Sequence, residues 1–255
     1  MNKADKILKQ YKNITLIQYL EQILDWDSEV NLPSGGYEYR AEQAAWLASV
    51  VHQKLTDPEF VNDVLSFIPD NNGLQKDEIA FIKRVVELEQ KIPEKLREEQ
   101  ARLSAKAGGI WEEAKKSGDD SDFIQILNQM IKLEREYCDC KGFENDAYDA
   151  LLDDYDRNLS YSSVENLFND LIPQLQELLA HAKEDKGELR FFADKSKQEK
   201  LSNIIIQEIG LDPTRSRLDV STHPFTATLG VGDVRITTNY DENNFFLHPK
   251  RYYNC

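Results

Sequence analysis

The sequence has little of what marks secreted, membrane-spanning or disulfide-bonded proteins. It holds only three cysteines in 255 residues, an odd number that cannot pair fully within one chain. Cys138 and Cys140 lie too close together in a helical pattern to form a disulfide without strain. No apolar run approaches the roughly 18 residues of a membrane span, and the N-terminus has no signal-peptide core. We therefore expect a cytoplasmic protein with free thiols.

Histidine is also scarce, and its spacing does not suggest a metal site. The four histidines are His52, His181, His223 and His248. None of them has a second histidine or cysteine at metal-ligand spacing. The residues themselves therefore predict no metal-binding site and no catalytic residue in this chain.

Positive charge is under-represented, and this excludes two classes of partner. The chain has 31 basic and 46 acidic residues, a formal net charge of −15. Such a charge repels the phosphates of nucleic acids and of anionic membranes. We expect neither as a partner.

Most of the chain shows the spacing of amphipathic helices. Apolar residues recur at helical intervals as far as Gly210, whereas the following segment alternates like a strand. We predict a mainly α fold with a small β-hairpin or sheet near the C-terminus. The hairpin is expected to join a strand around Leu218 and Val220 to a strand that begins at Asp233, with Gly230 and Gly232 in the turn. The expected divisions are a helical region at 1–210, a hairpin region at 211–246 and an atypical tail at 247–255.

Local signals predict several helix ends. Asp57 followed by Pro58 is typical of a helix start, and Ile92-Pro93 should interrupt a helix. Ser162 and Glu165 have the spacing of a capping box, with Pro173 expected to kink the helix that follows. That helix carries an apolar stripe made of Val164, Leu167, Phe168, Leu171, Leu175, Leu178 and Leu179.

Two features in the helical region could bind a ligand, and each has a plainer interpretation. Trp26 could stack on a ligand, but a core position is favoured. The adjacent Asp153 and Asp154 could bind a cation, but neighbours on a helix point about 100° apart and make a poor chelate.

The segment from Asp233 to Tyr240 alternates apolar and polar residues and predicts a strand. Arg235 and Asp233 share a face, because side chains two apart in a strand point the same way. An aspartate can orient the arginine so that its planar fork grips a carboxylate. The alternative is a solvated strand face with a surface ion pair.

Two short motifs in this region resemble those of a known family. His223-Pro224-Phe225 and Asp233-x-Arg235-x-Thr237 are similar to the HPF and DxRxT motifs of the carboxypeptidase Taq family of thermostable zinc metallocarboxypeptidases. Flanking and upstream segments are similar as well, and the resemblance extends to about Phe246. The upstream segments are Trp26-Asp27, Arg40-Ala-Glu-Gln43 and Tyr148 to Tyr155.

The resemblance implies a largely helical, often dimeric zinc enzyme that releases C-terminal amino acids from peptides. In that family an HExxH helix follows the DxRxT strand and supplies two zinc ligands and a general base. This chain ends at Leu247 to Cys255 without that motif. We therefore expect the N-terminal portion of such an enzyme, with zinc present only in the full-length protein and no activity from this chain alone.

The same resemblance implies a substrate-binding role for this region, directed at the C-terminus of a peptide. The candidate substrate-binding residues are His223, Phe225, Asp233, Arg235 and Thr237. His223 is open to two interpretations, a polar contact to substrate or a structural residue that hydrogen-bonds its own loop.

Two other functional classes remain open. The chain could be a non-catalytic helical interaction protein, such as a half-enzyme that joins a separate C-terminal partner or a homodimer. It could also be a metal-free module that grips peptide C-termini through Arg235.

Overall fold

The computed structural model describes residues 2–68, 74–182 and 192–242. The chain forms two compact units, Met1–Asp170 and Leu171–Cys255, and the boundary falls inside helix α8. The predicted tail at 247–255 lies outside the described residues. The helices are α1 (Lys3–Val30), α2 (Tyr37–Leu55), α3 (Pro58–Leu65), α4 (Leu74–Glu89), α5 (Glu94–Ser117), α6 (Ser121–Lys141), α7 (Ala147–Tyr155), α8 (Tyr161–His181) and α9 (Lys195–Glu208).

The sheet lies in the second unit and has three strands, β1 (Ser216–Val220), β2 (Thr226–Gly230) and β3 (Asp233–Thr238). The prediction of a mainly α fold with a small sheet near the C-terminus is confirmed. Within the described ranges, no helix is both long enough and apolar enough to cross a membrane.

The signals at two helix ends have the expected effect. The Asp57 side chain accepts hydrogen bonds from the backbone N–H groups of Glu59 and Phe60, and Pro58 is the first residue of α3. Ile92-Pro93 separates α4 from α5, because proline lacks a donor and disfavours helix in the residue before it.

The expected start of α8 at Ser162 is wrong. The helix begins at Tyr161, and Ser160 instead accepts the backbone N–H of Ser163 at 3.2 Å. Glu165 accepts the hydroxyl of Tyr161 rather than closing a capping box. The helix continues through Pro173.

One apolar cluster holds the first four helices together. Phe60, Ile7, Ile14, Ile82, Val64 and Val86 are its most deeply buried side chains. They come from α1, α3 and α4, and the packing of these apolar faces against each other supplies most of the stability of the helices. Trp26, near the end of α1, is 8% exposed, so the interpretation as a core residue is confirmed.

Arg40 fastens α2 to the end of α1. Its guanidinium donates to the carbonyl oxygen of Leu24 at 2.6 Å, to Ser28 Oγ at 2.8 Å and to Asp27 Oδ2 at 2.6 Å. Arg40 is 9% exposed, and a buried guanidinium requires such partners. Two of the segments that carry the family resemblance, around Asp27 and Arg40, are therefore hydrogen-bonded to each other.

A chain of polar contacts, which we call the buried polar chain, links five helices of the first unit. His52 Nδ1 lies 2.7 Å from Glu89 Oε1, and Arg97 Nη2 lies 2.9 Å from Glu89 Oε2. The Arg97 guanidinium stacks over the ring of Tyr137 at 5.0 Å. The Tyr137 hydroxyl then donates to Asp154 Oδ2 at 2.9 Å.

The buried polar chain ends at two cations on α4 and α6. Lys141 Nζ lies 2.5 Å from Asp154 Oδ1 and 3.2 Å from Asp153 Oδ2, and Arg84 Nη2 lies 2.5 Å from Asp153 Oδ2. Both carboxylates therefore have cationic side chains as partners. This supports the plainer interpretation of Asp153 and Asp154 over a cation site.

The strand order of the sheet is β1-β3-β2, with β1 parallel and β2 antiparallel to β3. The expected hairpin between the Leu218 strand and the Asp233 strand is therefore wrong in its pairing. The hairpin partner of β3 is β2, and Gly232 in the connecting turn has φ 79°, a conformation that favours glycine. β2 also alternates polar and apolar residues, Thr226-Ala-Thr-Leu229, but this short pattern was not identified as a strand from the sequence.

Candidate functional site

The register of the sheet places the polar residues of two strands on one face. Arg217 pairs with Arg235, and Asp219 pairs with Thr237, across the parallel β1–β3 ladder. Residues opposite each other in a ladder share a face. The opposite face carries Leu218 and Ile236, so the alternation in the sequence has its expected effect.

Thr237 fastens the HPF loop to the central strand. Its hydroxyl oxygen accepts the backbone N–H of Phe225 at 2.8 Å, and its own backbone N–H donates to the Phe225 carbonyl at 2.8 Å. Thr237 is 4% exposed. The two motifs that define the family resemblance are therefore bonded to each other.

Two further residues close the loop between β1 and β2. Ser221 Oγ lies 2.8 Å from Thr237 Oγ1 and donates to the His223 carbonyl at 2.7 Å. Asn239 Nδ2 donates to the Thr222 carbonyl at 3.1 Å. These contacts fix the backbone of His223 and Phe225, whereas the His223 side chain is exposed and that of Phe225 is half-buried.

Asp233 holds the Arg235 guanidinium through two hydrogen bonds. Arg235 Nε lies 2.5 Å from Asp233 Oδ1, and Nη2 lies 3.0 Å from Oδ2. These hydrogen bonds lower the pKa of Asp233 and raise the pKa of Arg235. The fork is thus oriented as the spacing predicted. The Arg235 side chain is 20% exposed, which makes the strand face more enclosed than a fully solvated one.

A second Arg–Asp pair stands beside the first and was not singled out from the sequence. Arg217 Nε lies 2.8 Å from Asp219 Oδ1, and the negative charge of Asp219 also raises the pKa of Arg235. The Asp219 side chain is 8% exposed. Its Oδ2 is buried and has no hydrogen-bond partner among the described residues. The sequence signal that could have identified this pair is the order Arg-x-Asp on β1, the reverse of the order Asp-x-Arg on β3.

The five candidate residues thus fall into two groups. Phe225 and Thr237 are bonded to each other, and Asp233 and Arg235 form an ion pair on the same strand. His223 joins the first group through its backbone carbonyl. The face as a whole brings two guanidinium groups next to two carboxylates, an arrangement suited to recognising a carboxylate or a peptide group.

A metal centre is not part of this arrangement. In the described ranges 2–68, 74–182 and 192–242, no three His, Cys, Asp or Glu side chains are grouped so that they could hold a metal ion. The two carboxylates on the sheet face, those of Asp219 and Asp233, each form an ion pair with an arginine. We therefore derive no metal-dependent step from these residues.

Comparison with known proteins gives consistent matches at the level of sequence. The family model described as Carboxypeptidase Taq (M32) metallopeptidase matches residues 6–248. The chain is 34% identical over 249 residues to thermostable carboxypeptidase 1 of Pyrococcus furiosus, covering 94% of this chain and 50% of that protein. It is 33% identical over 231 residues to carboxypeptidase 1 of Bacillus subtilis, covering 88% of this chain and 46% of that protein.

Solved structures agree with these matches. The crystal structure of BsuCP superposes with a TM-score of 0.88 at 30% identity, covering 96% of this chain and 51% of that chain. The structure of Pyrococcus furiosus carboxypeptidase in its Apo-Mg form gives a TM-score of 0.80 at 32% identity, again covering 96% and 51%. The chain spans about half the length of the relatives it matches, and it belongs to the carboxypeptidase Taq (M32) metallopeptidase family.

Proposed function

We propose that this chain is the substrate-positioning, N-terminal part of a zinc-dependent carboxypeptidase that releases C-terminal amino acids from peptides. The observation that carries the proposal is the Arg235 fork, held by Asp233 on the strand to which the HPF loop is bonded. An oriented guanidinium recognises a carboxylate better than a mobile one, because less freedom is lost on binding.

The neighbouring residues support a role in positioning. Phe225 is half-buried at the end of a loop whose backbone Thr237 fixes, so the position from which its side chain projects is defined. Arg217 and Asp219 lie in register with Arg235 and Thr237. The charge of Asp219 acts on Arg235, and the Arg235 side chain is only 20% exposed, which strengthens its interaction with a bound carboxylate because less water screens it.

The described residues contain no group of three or more His, Cys, Asp or Glu side chains that could hold a metal ion. Zinc would therefore have to be held by residues outside the described part of this chain. We propose accordingly that the chain alone releases no C-terminal residues and requires the remainder of an M32 fold. Detectable release by the pure chain, abolished by a chelator, would contradict this. A cytoplasmic location and a homodimer remain predictions.

The test of positioning uses a single-chain fusion of residues 1–242 with the part of Bacillus subtilis carboxypeptidase 1 that this chain does not match. We expect Arg235→Ala to raise KM for peptides with a free C-terminal carboxylate by about 10-fold or more, the range for a charge-assisted contact. Peptides with an amidated C-terminus should show no such difference.

Arg215→Ala is the matched control, because Arg215 is 73% exposed and precedes β1. It should leave KM unchanged. An Arg235→Ala fusion with unchanged activity and unchanged thermal stability would overturn the positioning role. An Arg235→Ala fusion that loses stability but keeps its KM would assign the residue to the structure of the sheet.

A further inference from the structure

Asp219 on β1 has one carboxylate oxygen that accepts no hydrogen bond. The side chain is 8% exposed, and Oδ2 is buried without a hydrogen-bond partner among the described residues. Oδ1, by contrast, lies 2.8 Å from Arg217 Nε and 2.7 Å from Arg217 Nη2. An unmet buried acceptor is unfavourable, and such atoms are rare in folded proteins. We therefore looked for a donor that a change of side-chain position could bring to Oδ2.

The register of the sheet places one such donor within reach. Arg217 is opposite Arg235 and Asp219 is opposite Thr237 in the β1–β3 ladder, so Asp219 and Arg235 are diagonal neighbours on one face. Strands lie about 4.8 Å apart and rise about 3.3 Å per residue, which puts the Cα atoms of a diagonal pair about 8 Å apart. An arginine and an aspartate side chain together bridge that distance.

Arg235 thus lies between two carboxylates that differ in exposure. Asp233 lies two residues earlier on the same strand, holds Arg235 Nε and Nη2, and is 42% exposed. Asp219 lies towards the other end of β3, and its negative charge raises the pKa of Arg235. Water can hydrate Asp233 if the arginine leaves it, whereas Asp219 Oδ2 is shielded from solvent. An exchange of acceptors would replace a screened ion pair by a shielded one.

The Asp219 end of the face is also the end to which the HPF loop is bonded. Thr237 is opposite Asp219, and its hydroxyl accepts the backbone N–H of Phe225 at 2.8 Å. A guanidinium held by Asp219 would lie beside this loop. Its Nε–Nη2 edge, which Asp233 engages in this structure, would then face a ligand with two parallel donors, the geometry that fits a carboxylate.

We propose that Asp219 is a positioning residue whose Oδ2 accepts the Arg235 guanidinium when the C-terminal carboxylate of a peptide takes the two donors that Asp233 holds in this structure. The ligand drives the exchange, because its negative charge repels Asp233 and its oxygens replace those of Asp233 as acceptors. This inference rests on the proposed function, since it requires that Arg235 binds the substrate carboxylate.

The first test needs neither a ligand nor the rest of the fold. Asp233→Asn in the 255-residue chain weakens the present partner of Arg235, so the guanidinium should turn to Asp219. Asp219→Asn should then lower the urea midpoint further in the Asp233→Asn background than in wild type, by at least about 0.3 M, because contacting residues are coupled. Loss of the ion pair with Arg217 occurs in both backgrounds and cancels. Equal effects in the two backgrounds would overturn the proposal.

Asp212→Asn is the matched control for this comparison. Asp212 is 51% exposed, precedes β1 and pairs with Arg215, so the substitution removes the same charge outside the sheet face. It should change the urea midpoint by the same amount in wild type and in the Asp233→Asn background.

The second test measures substrate binding in the single-chain fusion described above. Asp219→Asn should raise KM about 5-fold or more for peptides with a free C-terminal carboxylate and should change kcat by less than about 2-fold. Amidated peptides should show no such difference. A merely structural role would instead lower kcat for every peptide. If Arg235→Ala raises KM and Asp219→Asn does not, this inference is wrong and the proposed function stands. If neither variant raises KM, both are wrong.

A crystal structure of the fusion with a bound N-acetyl amino acid would show the exchange directly. Arg235 should lie within about 3 Å of Asp219 Oδ2, with the ligand carboxylate on Nε and Nη2. A ligand bound to Arg235 while Asp233 keeps both of its hydrogen bonds would overturn the proposal.

Discussion

Thr237 Oγ1 accepts the backbone N–H of Phe225 at 2.8 Å, so the HPF loop and the DxRxT strand are one structural unit. Thr237 of the DxRxT motif therefore has a structural role, which is to hold the HPF loop. Its hydroxyl is buried against the loop and contributes to function by fixing the backbone that carries Phe225.

We expect Thr237→Val to lower the free energy of unfolding by about 2 kcal/mol. The substitution keeps the shape of the side chain but leaves the buried N–H of Phe225 without that acceptor, and an unmet buried donor costs about 1–3 kcal/mol. Urea unfolding followed by circular dichroism would measure the change. Thr238→Val, on the other face of β3, should cost less than about 0.5 kcal/mol, and equal effects of the two would contradict this role.

The Asp233–Arg235 pair predicts a stability contribution that disappears in acid. Hydrogen bonds from Arg235 place the pKa of Asp233 below its ordinary value in the folded protein. The contribution is therefore present above about pH 4 and is lost as the pH falls through the lowered folded-state pKa. It should stay below about 1 kcal/mol, because Asp233 is 42% exposed and water screens exposed pairs.

Asp233→Asn provides the measurement for that pair. Wild type should be more stable than Asp233→Asn at pH 6, and the difference should shrink and vanish as the pH falls through the lowered pKa of Asp233. A difference that persists unchanged at low pH would show that the lost charge is not its cause.

Glu89 is the central carboxylate of the buried polar chain, and its removal should be severely destabilising. Glu89 is 7% exposed and is bonded to His52 and Arg97. Glu89→Ala leaves these groups without their partner, which costs about 3 kcal/mol in comparable sites. Glu87→Ala on the same helix removes only an exposed pair with Lys83 and should cost less than about 0.5 kcal/mol.

Glu21 predicts a pH dependence of the opposite sign to that of Asp233. Burial, reinforced by repulsion from Asp25, raises the pKa of Glu21 to about 7. Its favourable protonated state is fully populated below about pH 4 and is lost as the pH rises towards 7. Glu21→Gln should therefore stabilise the protein at pH 8 by on the order of 1 kcal/mol, because a half-exposed group is partly screened.

The Glu21→Gln effect should be absent at pH 4, where both side chains are neutral. Thermal unfolding at pH 4 and pH 8 would measure it. The same stabilisation at both pH values would rule out ionisation as its cause.

Local sequence signals predicted a helix end correctly where a single residue could serve as the cap and a single residue as the first helical position. Asp57 and Pro58 start α3 because the cap and the fixed proline φ act within a single turn. Ser160 replaced Ser162 as the cap of α8 because several serines compete within three residues. The folded structure decides which serine caps the helix, and the spacing in the sequence does not.

The sheet shows the other limit of sequence reasoning. The alternation of β3 predicted a strand and the Asp233–Arg235 pair, and both are present. The alternation around Leu218 also predicted a strand, but its parallel pairing with β3 joins residues 18 apart in the sequence, and no local pattern specifies that pairing. Arg217 and Asp219 therefore entered the candidate site only through the register of β1 with β3.

The buried polar chain also has a consequence for heat. Removing charged groups from water becomes less unfavourable as temperature rises, whereas the stabilisation from apolar burial levels off. The contacts among Glu89, Arg97, Lys141 and Asp154 should therefore contribute a larger share of the stability of the helical unit at 60 °C than at 25 °C.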